Sequence, residues 1–221
     1  MSRDTFEARL DALRTDVCAM GRDVTERLDR AVTAYEQRDP ATGRAVAADD
    51  DEINERYLDL EAECIDLLAL HQPVASDLRL VVASFKILTD LERVGDLATN
   101  LGTRVDAMAG GTVPSVPITD IGEMTLAQLR DALVAYETGD PERCRDVAAA
   151  DTDLDQRCGA AANDLVRSLV TYTPDDDVAA TLADTKRYLL TVRDLERAGD
   201  HAVNIAARTL YMVENDAELI Y

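Results

Sequence analysis

The string AVTAYEQRDP, residues 31–40, returns as ALVAYETGDP at residues 132–141, and its neighbours follow in the same order. AADDDEIN at 47–54 matches AAADTDLD at 148–155, and DLERVGDLATNL at 90–101 matches DLERAGDHAVNI at 194–205. Shared register over most of each half marks an internal duplication, which restricts the chain to two copies of one folded unit. The register slips by three residues between Pro174 and Asp194, so the copies differ around DDDVAA.

Each unit reads as helical. Trp is absent, Gly and Pro are few, and Ala and Leu are abundant. QRDP at 37–40 and TGDP at 138–141 both set an Asp before a Pro. That pair suits an N-cap followed by the first helical position, where a missing N–H costs nothing. LHQPVASD at 70–77 and TYTPDDD at 171–177 are further breaks, and GGTVPSVP at 110–117 is a mid-chain linker. The spacing predicts six helices, near 4–38, 41–71, 75–109, 118–138, 141–171 and 177–213. Short connections join antiparallel neighbours. The expected fold is all-α, with two tandem antiparallel three-helix bundles over 1–109 and 118–221.

Composition narrows the function. The 221 residues are 47% hydrophobic, enough for a real core, and carry a formal charge of −21. Lys86 and Lys186 are the only lysines; arginine supplies the remaining positive charge. Such a surface repels nucleic acid and anionic membranes, and a saline cytoplasm would relieve its self-repulsion, so a halophilic source is expected. Cys18, Cys64, Cys144 and Cys158 are widely spaced with no C-x-x-C pair and read as buried thiols, neither a zinc site nor a disulfide framework. The charged, amphipathic N-terminus lacks a signal core and no run approaches about 18 apolar residues, so a cytoplasmic location without membrane insertion is expected.

The duplicated DLER strings hold the chemistry. At about 100° per residue, Leu78, Val81, Val82, Phe85 and Leu88 form an apolar face, and Glu92 and Asp96 continue it with Asn100 on its flank. Asp90 points away. In the last helix Leu182, Leu189 and Val192 lead to Glu196 and Asp200, then Asn204. Two ionised carboxylates on a core-facing stripe need a positive partner. Arg93 and Arg197 lie too far round the wheel to neutralise them, and read as partners for a neighbouring helix. An arginine from another helix, such as Arg44, Arg56, Arg143 or Arg157, would serve. So would a metal: paired carboxylates beside an amide suit a hard cation or iron, and the matched acids Asp50 and Asp151 are candidates for a second contribution. Gly95 and Gly199, each three residues after the Glu, cost a helix about 1 kcal/mol and imply close approach of a helix or ligand.

Other polar residues say less. His71 reads as a cap or surface group, His201 lies far from the carboxylate face, and Tyr35 and Tyr136 read as packing anchors. No Ser-His-Asp set, phosphate loop or reactive cysteine setting is visible.

Two tandem three-helix units, each with DLER(V/A)GD followed by xAxN, together with QPVASDLRLV at 72–81, resemble the PhoU family of phosphate-uptake regulators. The resemblance implies a cytoplasmic, often dimeric, non-enzymatic protein that represses phosphate uptake or starvation signalling. Its implied partners are the ATPase of the phosphate ABC transporter or a sensor histidine kinase. It also implies metal at the E-x-x-x-D motifs, here Glu92 with Asp96 and Glu196 with Asp200, the ion being iron or another divalent cation such as zinc, magnesium or nickel. The second half departs from the pattern, with YTPDDDVAATL in place of the QPVASDLR string. Arg193 also stands where the first half has Thr89, one turn before Glu196 on the same face. That guanidinium is able to neutralise the second stripe, so the first pair is the stronger metal expectation. Two other readings stay open: a di-metal carboxylate oxidase or hydrolase, and a metal-free helical adaptor. Gly95 and Gly199 stand where ferritin-like enzymes carry the His of Glu-x-x-His, which counts against the first.

Overall fold

A computed structural model describes residues 3–48, 50–107, 118–170 and 178–220, all the regular structure being helical. The elements are α1 (Arg3–Gln37), α2 (Pro40–Ala48), α3 (Asp50–His71), α4 (Ala75–Asp106), α5 (Ile118–Thr138), α6 (Pro141–Val170) and α7 (Val178–Glu214). Helices α2 and α3 flank residue 49 and together fill the second predicted stretch. The linker 110–117 and the break at 171–177 lie outside the described residues.

Both Asp-Pro strings do what their chemistry suggests. Asp39 Oδ1 accepts from the backbone N–H groups of Ala41 and Thr42 at 2.9 and 3.3 Å. Asp140 Oδ1 accepts from Glu142 and Arg143 at 3.1 and 3.2 Å. Each acid satisfies donors that the first helical turn leaves free. Hydrogen bonds from Thr42 hold the Asp39 carboxyl below its ordinary range.

The two halves do not stand apart. Helix α4 packs on α7 and α1 on α5, so the third helix of each unit is covered on one side by its own bundle and on the other by the second half. The contact reads the same in both directions, the signature of a two-fold relation between duplicated units. A Cβ added at Gly21 would sit 2.4 Å from Leu133, and one added at Gly122 would sit 2.6 Å from Val32. Gly21 and Gly122 are duplicates of each other, as are Val32 and Leu133, so one knob-and-hollow pair occurs twice. Gly122→Ala is therefore expected to lower stability by about 1–3 kcal/mol through overpacking. Gly159→Ala, where a Cβ meets nothing within 4 Å, is expected to raise it by up to about 1 kcal/mol through helix propensity. Urea unfolding of the two variants beside the parent chain checks both signs.

Burial on two sides also corrects the helical wheel. Leu78 and Val82 are exposed, whereas Val81, Ile87, Leu88, Leu91 and Val94 are buried. The core face of α4 is thus rotated away from Glu92 and Asp96, which lie at its edge. In α7, Leu182 is exposed and Tyr188, Leu195 and Ala198 are buried. The acid the wheel turned away is a buried one: Asp90 is 4% exposed, and its duplicate Asp194 8%. All four cysteines are buried and unpaired, as read from their spacing.

Candidate metal centre

Asp90 and Asp194 are consumed by the interface between halves. Asp90 on α4 accepts from Arg208 Nε at 2.7 Å and Asn204 Nδ2 at 3.4 Å on α7, and lies 2.9 Å from His201 Nδ1. Asp194 on α7 accepts from Arg104 Nη2 on α4 at 2.5 Å. Asp90 pairs with Arg208 as its duplicate Asp194 pairs with Arg104. These acids hold the fold and are not free for a ligand. His201 and Asn204 are engaged in the same way.

Four other acids of the second half gather at the junction of α6 and α7. Asp151 and Asp155 stand one turn apart on α6, Glu196 and Asp200 one turn apart on α7. Carboxylate oxygens of Asp151, Asp155 and Asp200 lie within 4.8 Å of one another. Burial pushes the Glu196 carboxyl above its ordinary value, and the charges of Asp155, Asp200 and Asp151 push it further. Asp200 is raised by burial, then by Asp151 and Asp155. Asp151 is raised by burial although a hydrogen bond from Gln128 opposes the shift. The cluster is open on one side, since Asp155 and Asp200 are exposed. It is therefore a rim site, not the core-buried stripe expected from the wheel.

Among the described residues no guanidinium is ion-paired with it. Arg193 is exposed, and neither Arg193 nor Arg197 forms an ion pair with these acids among the described residues. The Arg193 charge does act on this stripe, lowering Glu196 against the larger upward shifts, but from an exposed position. In the first half Arg93 lies 3.5 Å from Glu92 and 3.7 Å from Asp96, so it folds back along its own helix instead of crossing to another. The side chain of Asp50 lies outside the described residues. Of the arginines considered from other helices, Arg56 pairs with Asp23, and Arg143 pairs with Asp131 at 2.5 Å.

The donor set of the second cluster fits a hard cation. It is all oxygen, and its second row includes an orphan: Gln128, 5% exposed, donates to Asp151 Oδ1 at 2.9 Å and to the Val147 carbonyl at 3.2 Å, while its Oε1 is buried without a partner. A Cβ on Gly199 would fall 3.0 Å from that Oε1 and 2.3 Å from Leu154, which accounts for glycine between Glu196 and Asp200. Gly95 is less crowded, with Ile53 at 3.4 Å. The thiol of Cys158, beside the cluster, is pushed up to about 12 by burial and then by Glu196 and Asp155, so it is protonated in the metal-free chain.

Similarity to known proteins follows the duplication. The profile of the PhoU domain matches residues 17–105 and, a second time, 118–209. The chain belongs to the PhoU family. A PhoU homolog from Pseudomonas putida, named a phosphate-specific transport system accessory protein, is 35% identical over 94% of this chain and 80% of its own length. The accessory protein PhoU of Escherichia coli is 31% identical over 95% of the chain and 85% of its own length. The crystal structure of PhoU from Pseudomonas aeruginosa superposes with a TM-score of 0.89 at 32% identity, covering 96% of this chain and all of that one. PhoU from Streptococcus pneumoniae gives 0.88 at 25% identity, with 96% and 98% covered. Both PhoU repeats thus contain the strings read from the sequence. Asp155 and Gln128 were missed by that reading. Asp155 repeats the i, i+4 spacing of Glu196 and Asp200, but its counterpart Asn54 hid it from a comparison of halves.

Proposed function

We propose that the chain is a non-enzymatic accessory regulator of phosphate transport that represses uptake and starvation signalling through protein contacts. Its partners on this reading are the ATPase of the phosphate ABC transporter, a sensor histidine kinase, or both. It works in the cytoplasm as a homodimer, and metal at its E-x-x-x-D motifs sets the shape and charge of the contact face. The observation that carries this is the end-to-end likeness to proteins named as accessory to phosphate-specific transport, across both repeats. No described helix is long and apolar enough to cross a membrane, in keeping with action through a partner.

The chemistry of the second cluster supports the metal part. Mutual repulsion among Asp151, Asp155, Glu196 and Asp200 is relieved by an ion of two or more positive charges. Iron or another divalent cation meets that need, held by Glu196 and Asp200 from α7 and by Asp151 and Asp155 from α6. A di-metal oxidase is disfavoured because Gly95 and Gly199 stand where such enzymes carry the His of Glu-x-x-His. Full-length protein purified without nickel affinity resin is expected to carry a divalent metal on elemental analysis and to retain the transporter ATPase in a pull-down. Rapid, catalytic oxygen consumption on adding ferrous iron would overturn the non-enzymatic reading. Failure to retain either the ATPase or the kinase would overturn the regulatory one.

A further inference from the structure

The duplicated sites differ in one buried residue. Gln128 on α5 has Arg27 on α1 as its counterpart, and both reach the same backbone group: Gln128 donates to the Val147 carbonyl, and Arg27 Nη2 donates to the matched Val46 carbonyl at 2.8 Å. Arg27 also donates to Thr99 Oγ1 at 3.0 Å. Its residue is 4% exposed, so a permanent positive charge is sealed inside the first half. The two anchors fix where that charge sits. Val46 lies one turn before Asp50, and Thr99 lies one turn after Asp96. In the second half the same corner holds a neutral amide bonded to Asp151.

The surroundings repeat the contrast. The groove between α1 and α3 is lined by Arg27, Arg30 and Arg56, interleaved with Asp23, Glu26 and Glu52. The matching groove of the second half has Gln128 and Asp131 at the first two of those positions and no basic residue in its lining. The acid count differs as well, since Asn54 stands where the second half has Asp155. By sequence, Asp151, Asp155, Glu196 and Asp200 of the second half answer to three acids in the first, Asp50, Glu92 and Asp96.

We propose that the two sites are unequal: metal binding is confined to the second half, and in the first half the Arg27 guanidinium is the built-in cation that occupies the corner in place of an ion. This narrows the reading of both E-x-x-x-D motifs as metal sites to one of them, and rests on the reading of the second cluster as a metal site. A buried guanidinium requires counter-charge, and an ion entering beside it would meet the repulsion of a fixed charge that cannot deprotonate. In the second half the amide of Gln128 orients Asp151 from behind, as the outer partners of metal ligands do.

The test uses the full chain, stripped with chelator and titrated with Mn2+ by calorimetry and by loss of the free-ion electron paramagnetic resonance signal. Glu196→Gln with Asp200→Asn is expected to weaken Mn2+ binding by more than about 100-fold. Glu92→Gln with Asp96→Asn is expected to leave it within about twofold, because those acids hold no ion. Arg27→Gln is expected to add a new class of bound Mn2+ that the Glu92→Gln, Asp96→Asn pair then removes. Gln128→Arg installs the first half's cation in the second and is expected to abolish binding with helicity retained by circular dichroism, which keeps the test decisive if Arg27→Gln does not fold. Loss of bound Mn2+ in the Glu92→Gln, Asp96→Asn protein overturns the inequality alone. Absence of binding in the parent chain, or binding unaffected by either double substitution, overturns the metal reading itself.

Discussion

Asp90→Ala is expected to lower the free energy of unfolding by about 3 kcal/mol, more than any single surface ion pair of this chain contributes. The Asp90 side chain is 6% exposed and serves three donors on α7, two of them with side chains only 17% and 25% exposed. Removing it leaves Arg208 charged, partly desolvated and without its carboxylate, and the penalty of that stranded charge exceeds the worth of the lost bond. The cost is held near the lower end for buried pairs because Arg208 retains some access to water. Asp194→Ala is expected to act in the same direction through Arg104, whose side chain is 16% exposed. Glu7→Ala removes an i, i+4 pair whose Arg3 side chain is 87% exposed and is expected to leave stability unchanged within measurement. Equilibrium denaturation of the three variants checks the order; an Asp90→Ala protein as stable as Glu7→Ala would mean that the network does not hold the halves together.

The duplication, the helix count and the Asp-Pro caps were legible because each depends on local chemistry repeated at fixed spacing. Asp39 and Asp140 cap their helices through their own next residues, with no help from tertiary contacts. What the helical wheel misread depends on a neighbour that one helix cannot reveal. A wheel finds one apolar centre, but α4 and α7 are covered on two sides, so apolar residues run round most of the circumference and the computed centre drifts toward Glu92 and Asp96. Asp90 looked like a surface acid for the same reason, since its partners lie more than a hundred residues later in α7. Arg27 escaped notice because nothing in a run such as TERLDRAV separates a buried arginine from the exposed one three residues on. Aligning the halves would have found it: the counterpart of a solvated arginine is free to vary, but Arg27 and Gln128 are both polar at a position whose neighbours, Leu28 and Leu129, are core.

Glu196→Gln combined with Asp200→Asn is expected to raise the melting temperature of the metal-free protein and to abolish its response to metal. The sign follows from the direction of the shifts. Glu196 is raised above 4.5, and Asp200 and Asp151 above 3.8, so the folded chain binds protons at these sites more tightly than the unfolded chain does. Their contribution to stability therefore falls as pH rises from those ordinary values through the folded ones, and at neutral pH the ionised cluster is a standing cost. Neutral isosteres remove the repulsion, and with it the gain in stability that the parent protein shows on acidification toward those ordinary values. Bound metal reverses the slope, because ligands must stay deprotonated and acid then displaces the ion. An ion present at about 100 times its dissociation constant adds about 2.7 kcal/mol, worth roughly 5–10 °C for a chain of this length. The high net charge gives the whole molecule some acid stabilisation, so the quantity to measure is the difference in pH slope between parent and double variant, with and without metal. A double variant that melts below the metal-free parent would show that these acids make favourable contacts in the folded chain and have no need of a cation.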